Sequence, residues 1–171
     1  MPERSGSSPF QQRRVRVAAE GQARTEGDVH VTQGQTLSAF LHSRRHFLSL
    51  TSATQEAGTE WAHVAIRIES VLWVRPLDAE LLLATPMTEN QSGRPAELVL
   101  TDGARLHVEL RIAAEQRLTD YIDVPPFFLP VYEAKDLETA ESLGELALNT
   151  RRILSIRELV EEPRRSRPPA W

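Results

Sequence analysis

Hydrophobic and polar positions alternate along most of this chain, and the alternation runs through the same sequence of events twice. Val15 and Val17 alternate with Arg14 and Arg16, and Val29 and Val31 with Asp28, His30 and Thr32. Each predicts a strand with one buried face. The period then changes: Leu37, Phe40 and Leu41 have the i, i+3, i+4 spacing of a short helix over QTLSAFLHS. A third strand is expected over His46–Thr54. Val64, Ile66 and Ile68 alternate in a fourth, and Val71 and Trp73 resume in a fifth after a turn near Glu69-Ser70.

The second half follows suit. Leu98 and Leu100 alternate up to Asp102-Gly103, a hairpin turn signal, and Leu106, Val108, Leu110 and Ile112 return from it. Leu118, Tyr121 and Ile122 repeat the helical triplet, and Pro125-Pro126 ends that helix. Strands are expected over Phe127–Tyr132, around Leu146 and Leu148, and around Ile153 and Ile156.

Residues 28–53 lie without a gap on 109–134, an offset of 81. The pairs Gln35/Gln116, Leu37/Leu118, Phe47/Phe128, Leu48/Leu129 and Ala53/Ala134 are identical. From Val64 to Leu77 the match continues at an offset of 82, so one intervening loop is a residue longer in the second half. Self-similarity at a fixed period decides architecture. It predicts a mainly β fold with a minor α part, an internal duplication of two small curled antiparallel sheet or barrel modules, each with one short helix. The expected modules are 14–77 and 97–162. Residues 78–96 join them, with a strand or short helix at Leu81–Leu83 and a polar loop at PMTENQSGRP. Residues 1–13 and 163–171 are expected to be disordered tails, having no apolar period.

Composition narrows this picture. An apolar fraction of 40% and a charged fraction of 26% are ordinary for a globular protein. Modules of about 75 residues are near the lower limit for an independent core, which favours burial of the two against each other or against a second copy. The absence of cysteine removes disulfides and thiolate metal sites. No apolar run could act as a signal peptide or cross a membrane, and a cytoplasmic location is expected. Arg4, Arg13, Arg14 and Arg16 against Glu3 give +3 in residues 1–16. Arg164, Arg165 and Arg167 give +3 in residues 163–171, so the net −4 leaves −10 between. An acidic body repels phosphate, and nucleic acid is not the favoured partner.

The second half resembles an Sm-like or SH3-like small β-barrel. LVLTDGARLHVELRI is similar to the first Sm signature, an Asp-Gly turn before a long bent strand, and LALNTRRILSIREL to the second. The resemblance implies a nucleic-acid-binding alternative in which Asn149 and Arg151 match the nucleotide-contacting turn. The first half carries Arg67 and Glu69 there.

Few residues offer chemistry. His42 and His46 have i, i+4 spacing, but the helix should end near Ser43 and no third ligand stands out. Asp120 and Asp123 read as a solvated face. None of the sequence motifs for nucleotide, zinc-protease or serine-hydrolase chemistry occurs. No cofactor is expected. Pro125, Pro126 and Phe127 form a stiff apolar segment with low ordering entropy on binding. Phe128 aligns with Phe47 as the core ring, so Phe127 faces outward as a candidate protein interface, with Trp73 as a second candidate. The chain therefore reads as a non-catalytic binding or scaffold protein acting through protein–protein contacts or self-association. An enzyme with its site between the halves is a further alternative.

Overall fold

A computed structural model describes residues 8–123 and 127–160. The first half contains β1 (Phe10–Ala19), β2 (Thr25–Thr32), α1 (Leu37–His42), β3 (Phe47–Gln55), β4 (Glu60–Arg67), a 3-10 turn (Ile68–Ser70) and β5 (Val71–Pro76). The second contains β6 (Gln91–Leu100), β7 (Arg105–Ala113), α2 (Leu118–Ile122), β8 (Phe128–Asp136), β9 (Ser142–Asn149), a 3-10 turn (Thr150–Arg152) and β10 (Ile153–Glu158). The fold is mainly β, and all ten strands join one antiparallel sheet in the order β10-β6-β7-β8-β9-β5-β1-β2-β3-β4. Among the described residues no helix is long and apolar enough to cross a membrane.

The sheet is two five-strand runs joined at β5 and β9. Within the first run the order is β5-β1-β2-β3-β4, and within the second β10-β6-β7-β8-β9, which is the same order element for element. The correspondence extends to irregularities. The β2·β3 register shifts between Glu26 and Asp28, and the β7·β8 register between His107 and Glu109, at an offset of 81. Ser52 and Glu133, also 81 apart, both have positive φ, at 47° and 50°. A non-glycine residue there costs about 1–3 kcal/mol, and both halves carry it beside the shifted ladder. The longer loop of the second half lies between β8 and β9.

Three expectations need correction. β1 begins at Phe10, inside the stretch read as a disordered tail, because Phe10–Arg13 pair with Val29–Thr32 of β2. Backbone pairing with a strong neighbour orders these polar residues where their own pattern is silent. β6 likewise begins at Gln91, so the expected polar connector supplies half a strand, paired with Glu109–Ala113. Leu81–Leu83 form neither strand nor helix. Leu81 and Leu83 are buried, and the carbonyls of Leu82 and Leu83 accept the Leu37 and Ser38 N–H groups at 2.8 and 2.9 Å. They satisfy the N–H groups that a helix start leaves unpaired. The expected tail 163–171 lies outside the described residues.

The halves do not keep separate cores. Phe128, Tyr132 and Ala147 of the second half pack into the first-half cluster with Leu37, Leu41 and Leu48. Ala18, Leu72 and Trp73 of the first half pack into the second-half cluster with Leu98, Leu110 and Leu146. Each core borrows from the other across the β5·β9 seam.

Candidate functional site

The seam is held by side chains that cross it. In the sheet, Trp73 pairs with Leu148 and Val74 with Ala147. Arg24 of the first half forms an ion pair with Glu141 of the second at 2.9 Å and lies over the Trp73 ring, 5.2 Å from its centroid. Arg152 pairs with Glu20 at 2.9 Å, and its Nε donates to the Glu69 carbonyl. Asn149, buried, connects the two 3-10 turns: Nδ2 donates to the carbonyls of Val71 at 2.9 Å and Ile68 at 3.4 Å, and Oδ1 accepts the Arg151 N–H at 3.1 Å.

Above this seam opens a cavity of about 550 Å³, lined by Leu41, His42, Arg44, Arg45, Ile68 and Glu69 of the first half and Phe127, Phe128, Asn149 and Arg151 of the second. Its size lies in the range of small-molecule and side-chain pockets. The first-half wall is built by α1. Thr36 caps the helix by accepting the Ala39 N–H at 3.2 Å, and Ser43 ends it by donating its hydroxyl to the Phe40 carbonyl at 2.6 Å. The chain then turns outward through Arg44 and Arg45. The Ile68 N–H donates to the His46 carbonyl at 2.8 Å, pinning this turn to the 3-10 segment. On the second-half wall, the equivalent bond runs from the Thr150 N–H to the Phe127 carbonyl at 2.7 Å.

Three guanidinium groups, one imidazole and one carboxylate therefore face the cavity. Arg44 lies 4.9 Å over Phe40 and bonds the Ser43 hydroxyl, and Arg151 lies 3.9 Å over Phe127. Among the described residues none of Arg44, Arg45 and Arg151 forms an ion pair. Glu69 alone offsets them, so the cavity is a cationic mouth on an acidic body. Among the described residues no three His, Cys, Asp or Glu side chains converge as a metal site. What the geometry can do is hold an anionic group against an apolar floor, since guanidinium presents a planar fork of donors to a carboxylate or phosphate.

Of the residues singled out from sequence, Phe127 is 41% exposed and lies in this cavity, and Phe128 is buried beside it. Pro125 and Pro126 lie outside the described residues. Trp73 is buried, 3% exposed, with its ring packed in the second-half cluster and Arg24 over it, so it is not a surface for an external partner. Consecutive residues Val71–Val74 are all buried, so both faces of β5 are covered and the ring lies in a core. His42 reaches the cavity; His46 contributes its backbone carbonyl to the adjoining turn. Asp120 stays on the outer surface of α2, and Asp123 lines a second, smaller cavity at that helix's end. Sequence reasoning missed Arg44 and Arg45. Their only signal is a basic pair just past a helix end, which usually marks solvated charge.

His42, on the cavity wall and partly exposed, is expected to give the fold a modest pH dependence. Burial lowers its pKa below the ordinary imidazole value, against a backbone hydrogen bond with Phe128 that raises it. The unfolded chain then binds the proton more tightly than the folded one. Stability is complete above about pH 6.5 and falls as the pH drops through that value. The thermal midpoint should fall between about pH 7 and about pH 5.5, and His42→Gln should flatten that part of the profile. Identical profiles for parent and variant would contradict this.

No protein-family model, curated protein or solved structure matches the chain.

Proposed function

We propose that this protein is a non-catalytic binding module that acts through protein–protein contacts, with the cavity over the β5·β9 seam as its working site. The single observation that carries the reading is the grouping of Arg44, Arg45 and Arg151, without ion-pair partners among the described residues, around the half-exposed Phe127 ring. A partner segment with a carboxylate next to a bulky apolar side chain fits that combination. Its carboxylate meets the guanidinium fork, and its apolar group displaces water from Phe127, Leu41 and Ile68. Aromatic and arginine anchors in a pocket are the residue types that dominate binding energies.

A fluorescein-labelled peptide of alternating Glu and Leu tests this by anisotropy. The parent should bind it. Arg151→Glu should weaken binding by about 10–100-fold, the equivalent of one lost charge-assisted hydrogen bond. Absence of binding by the parent would refute the peptide reading.

A second reading draws on the Sm resemblance and on one specific feature. The Arg151–Phe127 stack offers a platform on which a nucleobase could lie. Against it, Asn149 is committed to three hydrogen bonds within the protein and has little left with which to read a base. Oligouridylate in the same assay discriminates, because nucleic-acid binding would weaken steeply with added salt.

A further inference from the structure

Among the described residues, the outer edges of the sheet are unpartnered counterparts of its internal seam. β4 corresponds to β9 and β10 to β5, each at an offset of 82, so the sheet ends on one side with the strand type that the seam pairs and on the other with its complement. The large apolar residues follow this relation. Phe47, Trp61 and Leu154 are 46%, 38% and 66% exposed, whereas their seam counterparts Phe128, Leu143 and Leu72 are 5%, 1% and 4% exposed. The same positions that are buried where the halves meet are bare at the outer edges among the described residues.

The second half also carries an incomplete copy of the cavity. A depression of about 300 Å³ is lined by Ile122, Asp123, Thr150 and Arg151, the counterparts of Leu41, His42, Ile68 and Glu69 in the complete one. What it lacks is the opposing wall. At the seam that wall includes Phe128 and Asn149, whose first-half counterparts are Phe47 and Arg67, beside the free β4 edge. Both free edges are free of proline, and β4 is eight residues long. Such edges present open backbone donors and acceptors to any strand that fits.

We infer that β4 of one molecule pairs with β10 of a second copy of this chain, in the register of the β5·β9 seam, and that this contact completes the second cavity with Phe47 and Arg67 of the second copy. Transferring the seam register sets Ser155 opposite Ile66 and Ile156 opposite Ala65. Continued along the strands, it sets Glu158 opposite His63, two polar side chains that can share a hydrogen bond. The contact is head-to-tail, so it propagates into a ring or, if the rotation does not close, a filament. It does not depend on which ligand the complete cavity takes.

The test is the mass of the intact chain by sedimentation and light scattering over a dilution series. Two variants block one edge each. Ala65→Glu puts a charge on exposed β4, where the counterpart Ala147 is fully buried, and Leu154→Glu does the same on exposed β10, where the counterpart Leu72 is buried. The parent should assemble beyond its 19.3 kDa chain mass, and each variant alone should be monomeric. An equimolar mixture of the two should form a one-to-one pair, because each retains the edge that the other has lost. Both substitutions lie on exposed positions, and the thermal midpoint of each variant should stay at that of the dissociated parent. A parent monomeric at every concentration overturns the inference. So does parent-like assembly of either variant, or a mixture that remains monomeric.

Discussion

Replacing Trp73 with alanine should destabilise the protein by about 3–5 kcal/mol, the range for deleting a buried aromatic, and the loss should appear in both halves at once. Trp73 lies on β5, a strand of the first half, yet its ring packs in the second-half cluster. Its backbone pairs with Ala18 on one side and with Leu148 on the other. The cavity left by alanine would therefore weaken β9 and its core while loosening the strand that closes the first half. For a chain of this length, the thermal midpoint should drop by roughly 6–20 °C. A single cooperative transition is expected before and after substitution, because each core contains residues of the other half. Two separated transitions would mean that the halves fold independently. Arg24→Ala is the comparison: it removes the cation–π contact and the pair with Glu141, both partly exposed, and should cost about 1 kcal/mol.

Why the strand content was legible in sequence follows from the same feature. β1, β2 and β7 alternate because mainly one face of each lies in a core, and the alternation is visible in Val15/Val17, Val29/Val31 and Leu106 to Ile112. The helical triplets Leu37-Phe40-Leu41 and Leu118-Tyr121-Ile122 mark α1 and α2 where the period changes. The pairing of β5 with β9 has no such local mark, since a contact between strands some 70 residues apart adds no period to either. It leaves a weaker one. Val71–Val74 are all buried, as are Glu145's neighbours Leu146–Asn149, and both stretches are continuous rather than alternating. A strand enclosed on both faces loses its polar positions. The counterparts Ala65 in β4 and Leu154 in β10 are exposed although apolar, so burial rather than residue type separates the internal edges from the outer ones.

The cavity was harder to read because its charges come from both halves. Arg44 and Arg45 follow α1, whereas Arg151 follows β9, and only the strand order brings them to one mouth. Phe127 was legible as an outward ring through its alignment with His46. For Trp73 the sequence leaves core and interface both open, because alternation assigns a face but does not say what covers it.

Asn149→Ala isolates the polar component of the seam, and a loss of about 2 kcal/mol is expected. The side chain is 2% exposed and makes three hydrogen bonds. Removing it strands the carbonyl of Val71 where water has little access and frees the N–H of the more exposed Arg151, and leaving a buried polar group without its partner costs about 1–3 kcal/mol. Asn149→Leu should be no better, since an apolar side chain of similar size fills the space and still leaves those groups unpaired. The effect should be local in a way that the loss of Trp73 is not. Asn149 ties the Ile68–Ser70 turn to the Thr150–Arg152 turn, and both border the cavity, so amide exchange should quicken at Ile68, Val71, Thr150 and Arg151 before it does in β2 or β7. Uniform quickening across the sheet would show instead that the two turns have no separate hold on each other and that the seam opens only when the whole sheet does. Arg151→Ala keeps the backbone N–H that Asn149 accepts, so it should weaken binding at the cavity while leaving this stability almost unchanged.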